Sequence, residues 1–240
     1  MEKYLVSPRI FIPALAVWLI LSAVNTVFDP ETEKTEKMRM QEETINLPEP
    51  RTDSPVSLEE TIAKRRSVRT YTDDPLTIEQ IGQLLWSAQG ITLESRGYRA
   101  APSAGATFPL EVYLVAGEVD NLPPGVYKYI PSDHTIVKVM DGDIRNGLAD
   151  ACLGQSPVRN APVSLVISAE YARTASRYGN RATRYVHMEV GHVGQNVSLQ
   201  AITMGLGTVM VGAFTDDQLK ELLPLPPEEE PLYVIPVGKE

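Results

Sequence analysis

The chain has 240 residues, 43% hydrophobic and 22% charged, enough for one globular domain with additional segments and too apolar for wholesale disorder. Its 31 acidic and 22 basic residues leave a net charge of −9, which argues against nucleic acid as a main partner, because phosphate backbones need a basic face. A single cysteine, Cys152, excludes an intrachain disulfide framework and a Cys-based zinc site.

Ile10 to Phe28 is an uncharged, mostly apolar run; as a helix it reaches roughly 28 Å, close to the hydrocarbon thickness of a bilayer. It reads as an uncleaved signal anchor. A cleaved secretory signal is the alternative, although Ser22-Ala23-Val24-Asn25 offers only a weak cleavage site. A buried core helix is disfavoured by the charged tract that follows at once. Basic residues on both flanks (Lys3 and Arg9; Lys34, Lys37 and Arg39) leave orientation undecided by counting; the domain is expected outside the cytoplasm. The chain thus divides into a membrane anchor or signal over 1–28, a charged, Pro-punctuated linker over 29–56, and a folded domain over 57–240.

Within the domain, Ser57-Leu-Glu-Glu60 is a capping box opening a helix to about Lys64, with Leu58 and Ile62 expected inward. Thr77-Ile-Glu-Gln80 is a second box; its helix carries Ile81, Leu84, Leu85 and Ala88 on one face and stops at Gly90. Leu110–Val115 is a strand, and 125–130 with 135–139 a hairpin. Ile144, Leu148 and Cys152 fall at helical spacing, and 163–168 is apolar throughout, as a strand buried on both faces is. Tyr185 to Thr203 is the longest helix, with Val186, Val190, Val193 and Val197 along one stripe; Gly191 and Gly194 predict a close approach to it. Thr215 caps a last helix to Leu223, and Leu232–Val237 closes the domain. This order implies an α+β fold with a mostly antiparallel central sheet flanked by helices.

Three segments stand out chemically. Lys64-Arg-Arg-Ser-Val-Arg69 places four cations and a hydroxyl where a helix gives way to an extended segment, which suits a phosphate dianion; a solvated basic face at a helix end is the alternative. Ala101 to Pro109 is a loop of small residues that lets a flat ligand lie against the backbone, or simply a turn. Gly205 to Phe214 follows the long helix and is neither a dinucleotide fingerprint nor a P-loop. The polar, basic stretch Tyr171 to Arg184 is a lid, a substrate-facing segment or a helix start. His134 is expected exposed on its hairpin. His187 and His192 lie about 140° apart around a helix, so they cannot share a metal as an i, i+4 pair does. Cys152 reads as core.

Together, RRSVRTY (65–71), PSAGATFPLEVYLV (102–115), RYVHMEVGHVGQNVSLQA (184–201) and GLGTVMVGAF (205–214) resemble the FMN-dependent nitroreductase family, and within it the SagB-type dehydrogenases and thiazoline or oxazoline oxidases. The resemblance covers about 57–238. It implies a homodimer with FMN at the subunit interface, Arg65, Arg66, Ser67 and Arg69 on the phosphate and ribityl chain, and Pro102, Ser103, Ala104 and Gly105 of the partner lining the flavin. It also implies Met210, Val211 and Gly212 facing the isoalloxazine, with the Gly212 N–H near N5 and no catalytic acid or base from the protein. Gln195 and Asn196 are expected at the site or a dimer seam. Many members carry a further basic pair near the C-terminus; here only Lys239 stands there. The implied activity is ping-pong two-electron transfer with NAD(P)H as reductant and a small-molecule acceptor. Azoline oxidation in modified peptides is the alternative, and a membrane-tethered flavin-fold module without turnover a reading of another class.

Overall fold

The strands of the domain build one antiparallel sheet, and a computed structural model describes it over residues 44–240. The expected anchor over 10–28 lies outside the described residues; among the described residues no helix is long and apolar enough to cross a membrane. In chain order the principal elements are β1 (Thr44–Asn46), α1 (Leu58–Lys64), α2 (Ile78–Gln89), the β2–β3 hairpin (Ile91–Leu93, Tyr98–Arg99), β4 (Leu110–Ala116), β5 (Gly125–Ile130) and β6 (Thr135–Asp141). They continue with α3 (Arg145–Ala151), α4 (Ser156–Asn160), β7 (Val163–Glu170), α5 (Tyr171–Tyr178), α6 (Ala182–Thr203), β8 (Leu206–Thr208), α7 (Asp216–Leu222) and β9 (Glu229–Lys239). The sheet runs β1-β6-β5-β4-β7-β9-β8, and every pairing is antiparallel.

Two apolar layers sandwich this sheet, because side chains alternate faces along each strand. Leu110, Val112 and Leu114 of β4 join Leu165 and Ile167 of β7 on one face, beneath α2 (Ile81, Leu84, Leu85, Ala88) and α6 (Val186, Val190, Val193, Val197). Tyr113, Val115 and Val166 face the other way, against Leu148 and Cys152, Val158 of α4 and Leu219 of α7. The α2 start is a full capping box, with Thr77 Oγ1 accepting from the Gln80 N–H and Gln80 Oε1 from the Thr77 N–H. At α1 only half the box forms: Ser57 accepts from Glu60, while the Glu60 carboxylate pairs with Lys64.

Four expectations are corrected. The linker expected through residue 56 ends earlier: β1 pairs with β6, Leu47 enters the first core, and Gln83 holds both the N–H and the C=O of Arg51. His134, expected exposed, is half-buried and clips this segment to the sheet, one ring nitrogen bonded to the Tyr129 hydroxyl and the other to the Pro48 carbonyl, each at 2.9 Å. Leu58 and Ile62 point outward, 61% and 56% exposed; α1 sits at the rim of the domain and buries Thr61 instead. Of the two helical glycines, Gly194 is closely approached, by Met210 and Tyr233, while no described residue comes within 4 Å of a Cβ at Gly191.

Candidate functional site

Three segments that the sequence singles out are each held by backbone contacts. At the end of α1 the chain leaves helical geometry at Arg65 and runs beside β8: Ser67 bridges Thr208 in parallel, and the Val68 N–H donates to the Thr208 carbonyl at 3.0 Å. Gly207 makes this possible, since a Cβ there would stand 2.6 Å from the Val68 side chain. Further on, the Thr72 N–H donates to the Lys239 carbonyl, so Lys239, the only C-terminal cation carried over from the sequence, lies alongside the segment. Arg66 and Arg69 are exposed and Arg65 half-buried. Arg66 donates only to the carbonyls of Ala63 and Arg65, and Arg69 to that of Ser67. None of the three pairs with a carboxylate among the described residues, where Lys64, Lys128, Lys138, Arg145, Arg159, Arg173 and Lys220 all do. Unneutralised guanidinium groups fixed at one strand edge fit a phosphate dianion.

The second segment continues the same strand edge. Val211 exchanges both backbone hydrogen bonds with Val234, and its side chain is buried in the second core, so it anchors the segment. Met210 is half-buried against the first core. Gly212 is exposed, and its N–H has no partner among the described residues. A free, fixed N–H beside Met210 is a donor for a heteroaromatic ring edge.

Pro102, Ser103, Ala104 and Gly105 form the third. The Ser103 hydroxyl accepts from the Phe108 N–H at 2.9 Å, and Gly105, Ala106 and Phe108 all have positive φ, a strained path that needs support. α5 supplies it. Arg173 donates to the Phe108 carbonyl, Thr174 and Thr107 share a hydroxyl hydrogen bond, and Arg177 donates to the Gly105 carbonyl at 3.0 Å. The first part of the basic stretch 171–184, α5, is therefore a helix that clamps this loop, and the rest is a short 3-10 turn leading into α6. Arg173 is itself fixed by Glu111 and Glu170, each at 2.6 Å.

Among the described residues, no hydrogen bond, ion pair or ring contact joins this loop to the 65–69 or 210–212 segments. α6 separates them: Glu189 lies under the loop and Gly194 faces Met210, five residues on and about 140° around the helix. Asn196 turns inward to the Ser87 and Ala100 carbonyls, and Gln195 is exposed. His187 bonds the Tyr171 hydroxyl at 2.8 Å, a structural link between α5 and α6. Among the described residues no His, Cys, Asp and Glu group could hold a metal.

Sequence reasoning missed Glu189 and Arg99, and it met Arg177 only as part of the basic stretch 171–184. Glu189 is 2% exposed and one of its carboxylate oxygens has no hydrogen-bond partner. Burial raises its pKa to about 7, against the Ser103 hydroxyl, the charge of Arg99 and the Ala104 N–H, which favour the anion. The available signal was an acid three residues after Val186 on the apolar stripe. Between its ordinary pKa of 4.5 and about 7, the folded chain holds a proton there that the unfolded chain has released. Stability therefore falls as pH rises through that window. Glu189→Gln should remove this loss. Urea midpoints at pH 5 and pH 8 should show the variant gaining on the wild type at pH 8 by on the order of 2 kcal/mol; parallel pH profiles would contradict the assignment.

Residues 62–239 match the profile of the nitroreductase family. A protein described as a nitroreductase, MJ1384 of Methanocaldococcus jannaschii, is 48% identical over 184 residues, 77% of this chain and 91% of the relative. The NADPH-flavin oxidoreductase of Vibrio harveyi is 27% identical over 75% of this chain and 64% of its own. The microcin B17-processing protein McbC of Escherichia coli is 27% identical over 62% of this chain and 57% of its own. The chain thus spans less than two thirds of these last two. Among solved structures, a nitroreductase-like protein of Ralstonia eutropha superposes with a TM-score of 0.71 at 27% identity, covering 82% of this chain and 89% of the other. One from Anabaena variabilis gives 0.68 at 31% identity, covering 76% of this chain and 38% of the other.

Proposed function

We propose, from the premise that the chain belongs to the nitroreductase family and is an FMN-dependent oxidoreductase, that it runs ping-pong two-electron transfer between NAD(P)H and a small-molecule acceptor. The observation that carries this reading is the set of arginines at 65, 66 and 69, which meet no carboxylate among the described residues, mounted on the same edge as the Gly212 N–H, which has no partner among them. Arg65, Arg66, Arg69 and the Ser67 hydroxyl hold the FMN phosphate and ribityl chain. Met210 and the Gly212 N–H fix one side of the ring, and Val211 anchors that strand edge through Val234. When bound, FMN supplies the hydride chemistry, and the protein contributes position and electrostatics.

The small-residue loop serves the other subunit. Pro102 to Gly105 lies across α6 from the arginine edge, so it completes a site only when a second copy brings its own arginines to it. The apolar residues that α1 turns outward support the same dimer: Leu58 borders an open groove with Val56, Trp86 and Leu199. A face of this kind, uncovered in one chain, suits an obligate interface.

Two further readings remain part of the proposal. Similarity to the microcin B17-processing protein favours azoline dehydrogenation on a modified peptide as the second activity. Residues 10–28 serve as a single membrane anchor, with the catalytic domain outside the cytoplasm.

Purified full-length protein should be yellow and elute as a dimer. Anaerobic NADH or NADPH should bleach the flavin bands, and an added nitroaromatic or quinone should restore them. Protein that stays colourless in excess FMN would overturn the enzyme reading in favour of a binding module. Yellow protein that neither nicotinamide bleaches would shift the reading to the azoline dehydrogenase.

A further inference from the structure

Beside the small-residue loop opens a cleft of about 620 Å³, walled by the β2–β3 hairpin, the loop itself and Arg177 of α5. Arg99 and Arg177 line it, and among the described residues no carboxylate does. Both guanidinium groups are held in place without being neutralised. Arg99 donates to the Gln89 amide oxygen at 3.0 Å and stacks over the Phe108 ring at 4.7 Å. Arg177 donates to the Gly105 carbonyl and lies over Tyr178 at 5.7 Å. Neither makes an ion pair among the described residues, whereas Arg173, one helical turn before Arg177, is paired twice. Glu111 and Glu189 act on Arg99 only as longer-range charges, and burial lowers its pKa. Tyr98 and Phe108 supply aromatic faces in the same cleft.

Cations oriented by neutral acceptors and aromatic faces are preorganised for a ligand anion, since binding needs neither a broken salt bridge nor a reordered side chain. We infer that this cleft is a substrate subsite for an aromatic or similarly planar compound carrying a carboxylate or phosphate, anchored by Arg99 and Arg177. The inference rests on the flavin reading for its relevance to turnover: Ser103 and Gly105 of the flavin-lining loop also line the cleft, so a ligand anchored there lies against the loop that the flavin reading assigns to the cofactor of the other subunit. Its anion could belong to the acceptor or to the phosphates of the nicotinamide donor.

Steady-state reduction of 4-nitrobenzoate and the neutral 4-nitrobenzamide by the full-length chain, with NADH and with NADPH, tests this in wild type, Arg177→Gln and Arg99→Gln. Either substitution should raise the ratio of the benzoate KM to the benzamide KM about tenfold, the size of one charge-assisted contact in a partly solvated cleft. A change confined instead to the NADPH-to-NADH KM ratio would support the subsite and assign its anion to the donor. Ratios that stay fixed for both pairs would overturn it. Calorimetric titration with benzoate and benzamide gives the same answer without turnover. Wild type should prefer benzoate and Arg177→Gln should not; equal binding of the two by wild type would sink the subsite. A colourless protein fails the flavin reading, and the calorimetry still decides this one.

Discussion

Replacing Arg66 and Arg69 together by alanine should weaken FMN binding about a hundredfold or more while leaving the fold intact. Each guanidinium can give a phosphate a charge-assisted pair of hydrogen bonds, about 1.5–3 kcal/mol per contact. At an exposed edge the lower end applies, which is about tenfold each. Folding should change little, because both side chains contact only backbone carbonyls of their own segment. Arg66→Lys should fall between, since an ammonium keeps the charge and loses the planar fork. Quenching of FMN fluorescence on titration with protein reads the affinity, and the difference between variant and wild type should shrink as salt is raised. A double variant that binds FMN as tightly as wild type would remove the cluster from the site.

The second large effect is on the platform that carries those arginines. Gly207→Ala would place a methyl 2.6–2.9 Å from three carbons of Val68. Val68 is β-branched, and its Cβ is among the three, so no rotamer removes the overlap. The segment must move off β8, lengthening the Val68 to Thr208 hydrogen bond and displacing Ser67 and its neighbouring arginines. Overpacking of this kind costs about 1–3 kcal/mol, and each kcal/mol lowers Tm by roughly 2–4 °C at this size. FMN affinity should fall with it. Adding Val68→Ala should restore only part of both losses, because the Cβ overlap remains. Gly191→Ala is the opposite control: nothing among the described residues lies within 4 Å of its Cβ position, so the helix should gain up to about 1 kcal/mol. Thermal melts and flavin titration of the three variants decide it; a Gly207→Ala protein as stable as wild type would mean that β8 and the arginine segment are not in register as described.

Local chemistry made much of this protein legible in advance. The Thr77 box, the Ile81–Leu84–Leu85–Ala88 face, the apolar run of β7 and the valine stripe of α6 each follow from periodicity and capping. Such patterns depend on residues a few positions apart, and they fixed the α+β antiparallel fold. The arginine cluster was legible for the same reason: four cations in six residues stand out in an acidic chain. Misplacements occurred where a side chain's environment comes from distant segments. Leu58 and Ile62 satisfy a helical face, but α1 lies at the rim of one chain, so their apolar spacing has no core to enter. Thr44 to Asn46 has too few apolar residues to announce a strand, and it forms one because β6 offers an open edge and His134 reaches Pro48.

What the sequence determined by itself, then, is the kind of protein: its elements, its family resemblance and a basic cluster that stands out in an acidic chain. Only the tertiary structure decided which charges are free. Arg173 and Arg177 are alike on paper, one turn apart on α5, yet Glu111 and Glu170 neutralise the first, while among the described residues the second bonds a carbonyl and lies over an aromatic ring without an ion pair. Nothing local separates them, because ion pairing depends on which strands the fold brings alongside. The same holds for Glu189, whose position on an apolar stripe hints at burial, but whose pKa near neutrality arises because burial in the folded chain outweighs the opposing pull of Ser103, Arg99 and the Ala104 N–H.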